Sequence, residues 1–416
     1  MATCDDGTSL FLRGVLPGEV VRARPTQKRG EGFAADVDAI VTASPERIVP
    51  PCPHAAVCGG CALQHWQAGP YLTWKAGLLE AALRRAGYTP AIAPIVATAP
   101  RTRRRIDLAA RRDGGTLRLG LHAPRSHDVV DILDCHVLHP TLMALLPALR
   151  RTLLSLTAVR READIVCNLL DSGPDLLLRT DAEPSAPDRA RLAEFAAAHN
   201  IRRITWARGH GTPETAVLTE PPHVRFANIE VTPPPGAFLQ ASAEGEHAIV
   251  AAVLGGLPEK LPARARIADL YAGCGTLSFA LAARGRVAAY EGDAAALGAL
   301  KNAVNAAGLA GRIEAQHRDL VRQPLSAKDL AGFAAVVLDP PHAGAAMQIA
   351  QIAASNVARV IYVSCNPAAL SRDAAVLRGA GYALLSAQPI DQFPWSARLE
   401  SVCVFAKLNA VTRPVR

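Results

Sequence analysis

The chain has 416 residues, 50% of them hydrophobic and 20% charged, with a formal net charge of +8 and a pI near 9.2. Such a length buries ample core and divides into two or three domains of ordinary soluble globular composition. No run of ~18 uninterrupted apolar residues is present, which argues against a helical membrane span, and no apolar core of signal-peptide length follows a basic start. A cytoplasmic location is therefore expected. The positive balance points to a polyanionic partner. Arginines crowd the region from Arg101 to Arg125, where a solvated face is the competing reading. In a reducing compartment nine cysteines do not read as a disulfide framework, which shifts weight to metal or catalytic roles.

Residues 1–49 read as short strands, with turn signals at Leu16-Pro17-Gly18 and around Gly30 and mostly β-branched apolar residues, which fits a small β-barrel. Pro50-Pro51-Cys52-Pro53 breaks that pattern and opens a cysteine cluster. Cys52, Cys58 and Cys61 are spaced C-x5-C-x2-C, and Cys135 supplies a fourth ligand. Four thiolates hold zinc or an iron–sulfur cluster, and the x5 gap is long for a zinc knuckle. From Tyr71 to Ala86 the spacing of Leu72, Leu79 and Leu83 is helical, with Gly87 as the stop. Residues 95–235 mix strands and helices up to the linker Pro233-Pro234-Pro235-Gly236. Beyond it strands and helices alternate, as in a doubly wound parallel sheet, so the fold class is α/β. Alanine-rich stretches at 193–198 and 294–307 are expected helices.

Ile267–Thr276 reads as strand and glycine turn, followed by a helix over Leu277–Ala283. Glycines let the backbone approach a ligand, and the helix start offers free N–H groups. Ser278 stands where a dinucleotide fingerprint places a third glycine. The spacing Asp269-x-x-x-Gly273-x-Gly275 instead resembles the S-adenosylmethionine turn of class I methyltransferases, whose ligand has no pyrophosphate to cradle. The next strand ends at Glu291, placed to accept from both ribose hydroxyls. A third ends at Asp319, facing the adenine amino group, and a fourth at Asp339-Pro340-Pro341 beside the transfer site. Val360–Ser364 is apolar without alternation, as in a buried parallel strand, and puts Cys365 at the carboxyl edge of the sheet. A deprotonated thiol there can attack an electron-poor ring carbon, although an isolated cysteine at a strand end is more often a packing residue.

Asp339-Pro340-Pro341, Ser364-Cys365-Asn366-Pro367 and Asp391-x-Phe393-Pro394 with Glu400 together resemble the RNA (uracil-C5)-methyltransferase family. Phe238-Leu239-Gln240 and Leu370-Ser371-Arg372-Asp373 extend the resemblance, and Leu16-Pro17-Gly18-Glu19 with Ser44-Pro45-Glu46-Arg47 resemble its RNA-binding TRAM barrel. The resemblance implies a methyl group passing from S-adenosylmethionine to uracil C5. Cys365 would add to C6 as nucleophile and Glu400 would remove the C5 proton as base, with the base flipped out of its stack. Gln240, Tyr271, Thr276, Glu291, Asp319 and Asp339 match the cofactor-contacting positions. Cys52, Cys58, Cys61 and Cys135 match a [4Fe-4S] site that marks the branch acting on 23S rRNA, the partner expected for a monomer. The implied domains are a TRAM-like barrel over 1–49, a central iron–sulfur and RNA-binding α+β domain over 50–235, and a methyltransferase domain over 236–416. A tRNA-modifying enzyme and an RNA-binding protein with an altered active site are the alternatives. Three positions depart from the family pattern: His342 replaces an arginine, Arg398-Leu399 replaces His-Val, and no asparagine follows two residues after Gln240.

Overall fold

The computed structural model describes residues 2–408. Strands β1 (Ala2–Thr3), β2 (Ser9–Phe11), β3 (Val20–Arg29) and β4 (Gly32–Thr42) pair in the order β1-β2-β4-β3. No pairing of β1 with β3 closes this sheet among the described residues, so it is an open sheet where a barrel was expected. It buries few apolar side chains of its own and docks through Leu16 on Trp66 and Tyr71. A bidentate ion pair of Arg47 with Glu19 fixes that junction.

Helix α1 (Ala68–Arg85) buries Tyr71, Lys75, Leu79, Ala82 and Leu83, one face at helical spacing. Strand β5 (Val96–Ala97) follows. Strands β6 (Arg105–Asp113), β7 (Thr116–His122), β8 (Val129–Asp131), β9 (Glu162–Leu170), β10 (Gly173–Thr180), β11 (Arg203–Arg208) and β12 (Glu214–Leu218) form a second sheet, ordered β12-β11-β10-β9-β6-β7-β8. Helices α2 (Pro140–Ser155) and α3 (Ala186–Ala198) cover it. A hairpin of β13 (Val224–Phe226) and β14 (Ile229–Val231) then leads to α4 (Ala243–Gly256).

The remaining chain alternates β15 (Arg266–Leu270), α5 (Thr276–Leu281), β16 (Arg286–Glu291), α6 (Ala294–Ala306), β17 (Ile313–His317), α7 (Ala327–Leu330), β18 (Ala335–Leu338), α8 (Ala346–Ala354), β19 (Arg359–Ser364) and α9 (Pro367–Gly379). It closes with the antiparallel pair β20 (Tyr382–Asp391) and β21 (Glu400–Lys407). The sheet order is β17-β16-β15-β18-β19-β21-β20-β5, parallel from β17 to β19. Its central strands are apolar throughout because both faces are covered. Ile267, Val337, Ile361 and Val363 enter one core, while Ala268, Leu270, Val336 and Tyr362 enter the other.

The expected boundary near residue 235 does not separate these cores. Leu79, Leu83 and Ala86 pack in the second core, Val224, Phe226 and Val231 pack in the first, and β5 pairs with β20. An apolar stripe such as Leu79/Leu83 demands a partner surface, but its spacing does not say which one. No described helix is long and apolar enough to cross a membrane.

Candidate active site

The carboxyl ends of β15, β16, β18 and β19 surround a cavity of about 660 Å³, a volume suited to a small-molecule ligand. Gln240, Tyr271, Thr276, Glu291, Asp339, Cys365 and Glu400 all line it. Pro234, Pro235 and Gly236, read from sequence as linker, form part of its wall. Gly236 has φ +67°, and a Cβ there would approach Leu177 Cδ2 to 2.8 Å, so this strap lies hard against β10.

After β15 the chain turns sharply, with Tyr271, Gly273 and Gly275 at φ +65°, +55° and +99°. Glu291 ties the turn to β16: its Oε2 accepts from Gly273 N at 2.7 Å and its Oε1 from Asp293 N at 2.7 Å. Asp269 is buried, with Oδ2 accepting from Ser278 Oγ at 2.5 Å and Oδ1 without a partner. Burial raises its pKa to about 7, and the charges of Asp339 and Glu291 add to this. Ser278, unexplained as a missing glycine, is thus the hydroxyl that satisfies half of Asp269. Acidic side chains crowd this end of the cavity, whereas Arg103, Arg105 and Arg398 line it elsewhere. A ligand with cationic ammonium and sulfonium groups fits the acidic end, and an orphaned buried Oδ1 is an acceptor for such an ammonium.

Asp319 is not among the lining residues. It is half-buried after β17, accepting from Val321 N at 3.0 Å and Arg322 N at 3.2 Å.

Cys365 sits between β19 and α9, whose first turn Asn366 caps by accepting from Ala368 N at 3.0 Å. The β19–β21 ladder ends with Ser364 opposite Ser401, so one further step puts Cys365 across from Glu400. Burial first, and then the charges of Glu400 and Asp339, push the Cys365 thiol up to about 11, with Arg398 opposing them. Asp339 is raised to about 6 by burial, against a hydrogen bond from Gln240. Glu400 is raised by burial first and then by Asp339. Three acidic groups thus share a pocket that tolerates little negative charge until a cation enters.

The loop after Asp339-Pro340-Pro341 is clamped by α9. Asp373 Oδ2 accepts from Tyr362 Oη at 2.6 Å and from Ala345 N at 2.8 Å, and Arg372 donates to Ala343 O at 3.2 Å. The Leu370-Ser371-Arg372-Asp373 motif therefore serves to hold the Asp339 loop. Of the positions that depart from the family pattern, His342 and Arg398 line the cavity.

Sequence reasoning missed Gln392, the unnamed residue of Asp391-x-Phe393-Pro394. It is 1% exposed, and its Nε2 donates to Gln240 Oε1 at 2.7 Å and to Glu400 Oε2 at 2.9 Å. It also missed Tyr71 and Lys75, which hold Asp391 from α1: Tyr71 Oη donates to Asp391 Oδ2 at 2.7 Å, and Lys75 forms a buried ion pair with Asp391. The only sequence signal was a lysine on the apolar face of a helix. Most arginines of the 101–125 region are spent on internal contacts. Arg104 pairs with Glu246, Arg112 caps the carbonyls of Leu154 and Val159, and Arg111 pairs with Glu162.

Cys52, Cys58, Cys61 and Cys135 line one small separate cavity with His54, Gln64, Asp134 and His136. Gly59 and Gly60 let the cysteine loop lie against β7. A Cβ on the first would meet His122 O at 2.6 Å, and on the second Leu121 Cδ1 at 2.8 Å. Burial raises the thiols of Cys58, Cys61 and Cys135, and the neighbouring cysteines raise each further. Among the described residues no group of three His, Cys, Asp or Glu is placed to hold a single metal ion. Cys167, Cys274 and Cys403 are buried and Cys4 is exposed, each without such company.

Residues 260–408 match the family described as tRNA (Uracil-5-)-methyltransferase. The chain is 41% identical to an uncharacterized RNA methyltransferase of Caulobacter vibrioides over 414 residues, covering 98% of this chain and 96% of the relative. It is 32% identical over 421 residues to the 23S rRNA (uracil(1939)-C(5))-methyltransferase of Yersinia enterocolitica, covering 98% and 92% of the two chains. Among solved structures, the Pyrococcus abyssi tRNA (uracil-54, C5)-methyltransferase in complex with S-adenosyl-L-homocysteine shares the fold. It aligns with TM-score 0.72 and 20% identity over 97% of this chain and 98% of that one.

Proposed function

The chain belongs to the RNA uracil-5-methyltransferase family, using S-adenosylmethionine to methylate uracil C5 in RNA, and from that premise we propose that its substrate is a uridine of 23S rRNA, with Cys365 as nucleophile and Glu400 as base. The observation that carries this reading is that Cys365 and Glu400, each one residue beyond the last Ser364–Ser401 pair of the β19–β21 ladder, line the cavity that Asp339 and the glycine turn also line.

Cys365 gives up its proton to water, and its sulfur adds to C6 of the flipped-out uracil; the C5–C6 electron pair moves to C5 and O4 as an enolate. S-adenosylmethionine, when bound, supplies the methyl group that C5 takes. The Glu400 carboxylate then removes the C5 proton, the C–H electron pair re-forms the C5–C6 double bond, and the thiolate leaves. Asp269, Glu291, Tyr271, Thr276 and Gln240 hold the cofactor end, and Asp339 orders the boundary between cofactor and uracil. Arg398 eases thiolate formation from the rim, since its charge opposes the rise of the Cys365 pKa.

The 23S assignment draws support from the near full-length similarity to the Yersinia enterocolitica enzyme. It also draws on the four cysteines, which we assign to a [4Fe-4S] cluster. The N-terminal sheet acts as a TRAM-like RNA-binding module in this reading, and the enzyme works in the cytoplasm. Mapping 5-methyluridine in 23S rRNA and tRNA from cells lacking the protein tests the substrate. A missing rRNA mark restored by the wild-type chain but not by Cys365→Ala supports the reading; intact rRNA with altered tRNA overturns it.

A further inference from the structure

Gln392 follows the last residue of β20 and lies between the Gln240 strap and the catalytic strand β21. All the polar capacity of its carboxamide that the pocket can satisfy is in use. Oε1 accepts from Ala241 N at 2.9 Å, and Nε2 donates to Gln240 Oε1 at 2.7 Å and to Glu400 Oε2 at 2.9 Å. A backbone N–H can only donate, so Ala241 forces Oε1 toward itself and Nε2 toward the other two. Gln240 Oε1 must then accept, which turns Gln240 Nε2 to Asp339 Oδ2 at 3.3 Å. One main-chain N–H thus sets the direction of a chain of amides that ends on both carboxyl groups of the site.

Two further features show that the site is built around this side chain. Gly245 of α4 leaves room for it: a Cβ there would meet Gln392 Cβ at 2.7 Å. On the other side Asp391 is anchored by Lys75 and Tyr71 and accepts from Phe393 N at 3.1 Å, which fixes the backbone around Gln392. Glu400 consequently has one oxygen engaged and one free, since Oε1 is buried without a partner.

We propose that Gln392 is a positioning residue for the elimination step: by holding Glu400 through Oε2 it presents Oε1 to the uracil C5 proton, and through Gln240 it ties that placement to Asp339. This rests on the reading of Glu400 as base. Facing Glu400 are Asp339 from the end of β18, Cys365 from the end of β19, and Arg398 from its own loop, with Arg103 on the same cavity wall. Without the Gln392 N–H, a carboxyl among these acidic neighbours loses its donor and holds its proton more tightly.

The test compares wild type with Gln392→Met, which keeps the volume, and Gln392→Glu, which keeps an acceptor for Ala241 but offers Glu400 no amide N–H. The probe is unmodified in-vitro-transcribed 23S rRNA, made with uridine or with 5-fluorouridine, plus S-adenosylmethionine. With uridine RNA, both variants should release product about 10- to 100-fold more slowly, within the range a general base supplies. They should accumulate a detergent-stable RNA–protein adduct, keep their RNA affinity, melt at a somewhat lower temperature because buried partners of Gln392 are left unpaired, and show a rate profile displaced to higher pH. With 5-fluorouridine RNA, which has no C5 proton to remove, adduct formation should stay within about threefold of wild type. Slow release without adduct, or slow release with parallel loss of RNA binding, overturns the positioning role, as does an unchanged rate. Cys365→Ala is run alongside. If it still forms the 5-fluorouridine adduct, the proposed chemistry itself fails, whatever Gln392 does.

Discussion

The cavity at Cys365 and the cavity shared by Cys52, Cys58, Cys61 and Cys135 use one residue type under one physical pressure, yet they differ in what stands nearby. Burial is the largest influence on Cys365 and also on Cys58, Cys61 and Cys135, raising the thiol in each case. Around Cys365 the next influences are two carboxyl groups and an arginine; among the quartet they include the other cysteines. In the proposed reading, the single thiol beside a carboxyl in an open cavity attacks the substrate. The quartet, in the same reading, takes a cluster whose positive charge makes the shared thiolate charge tolerable. Burial alone does not separate the two jobs; the identity of the charged neighbours does.

The sharpest way to break this contrast is to remove one cysteine from each site. Cys365→Ala should lower methyl incorporation into rRNA by about 10⁴-fold or more, as expected for a lost nucleophile, and leave any visible absorption of anaerobically purified protein unchanged. Cys135→Ser should abolish that absorption. If absorption falls with Cys365→Ala instead, the division of labour is wrong. Glu400→Gln should cost about 10²–10⁴ in turnover. Because burial and the carboxyl charges push the Cys365 thiol up to about 11, it is mostly protonated at neutral pH. Adduct formation with 5-fluorouridine RNA should therefore rise from about pH 7 to about pH 9 as the thiolate fraction grows, and a flat profile would contradict that ionisation.

Between the two sites, Lys75→Met tests what joins them. The helix carrying Lys75 follows the cysteine segment, whose Ala62 and Leu63 donate to Trp395 O at 2.8 and 3.0 Å in the loop between β20 and β21. Removing one partner of a buried ion pair should destabilise the protein by about 3–5 kcal/mol, read by denaturant unfolding. A loss below about 1 kcal/mol would mean that Asp391 is held without it. The smallest effect is expected at Asp319, which does not line the cavity. Asp319→Asn should change S-adenosylmethionine affinity less than about threefold, whereas Glu291→Gln should weaken it about tenfold or more, the scale of a lost charged hydrogen bond. Equal effects at the two positions would return Asp319 to the cofactor site.

What the sequence disclosed was local. Strand ends at Glu291, Asp339 and Cys365 were legible because β16, β18 and β19 are short apolar runs closed by polar residues, and residues i and i+2 enter the same core. The glycine turn was legible because its positive φ angles call for glycine at two of three positions. Gln392 was not, since nothing in a lone glutamine after a strand announces a partner such as Gln240, 152 positions away. Lys75 and Tyr71 were hidden in the same way, bonded to Asp391 across 316 and 320 positions. The arginine-rich region was only partly legible, for the opposite reason. Charge counts do not reveal that Arg104 and Arg112 are consumed by Glu246 and by backbone carbonyls inside the fold.

Digesting the covalent complex formed with 5-fluorouridine-substituted 23S rRNA and S-adenosylmethionine, then locating the cross-linked peptide by mass spectrometry, addresses the assignment of the thiols directly. The expected result is a nucleotide mass on the peptide containing Cys365 and on no other cysteine. A nucleotide on Cys52, Cys58, Cys61 or Cys135, or a stable adduct that survives Cys365→Ala, would contradict it.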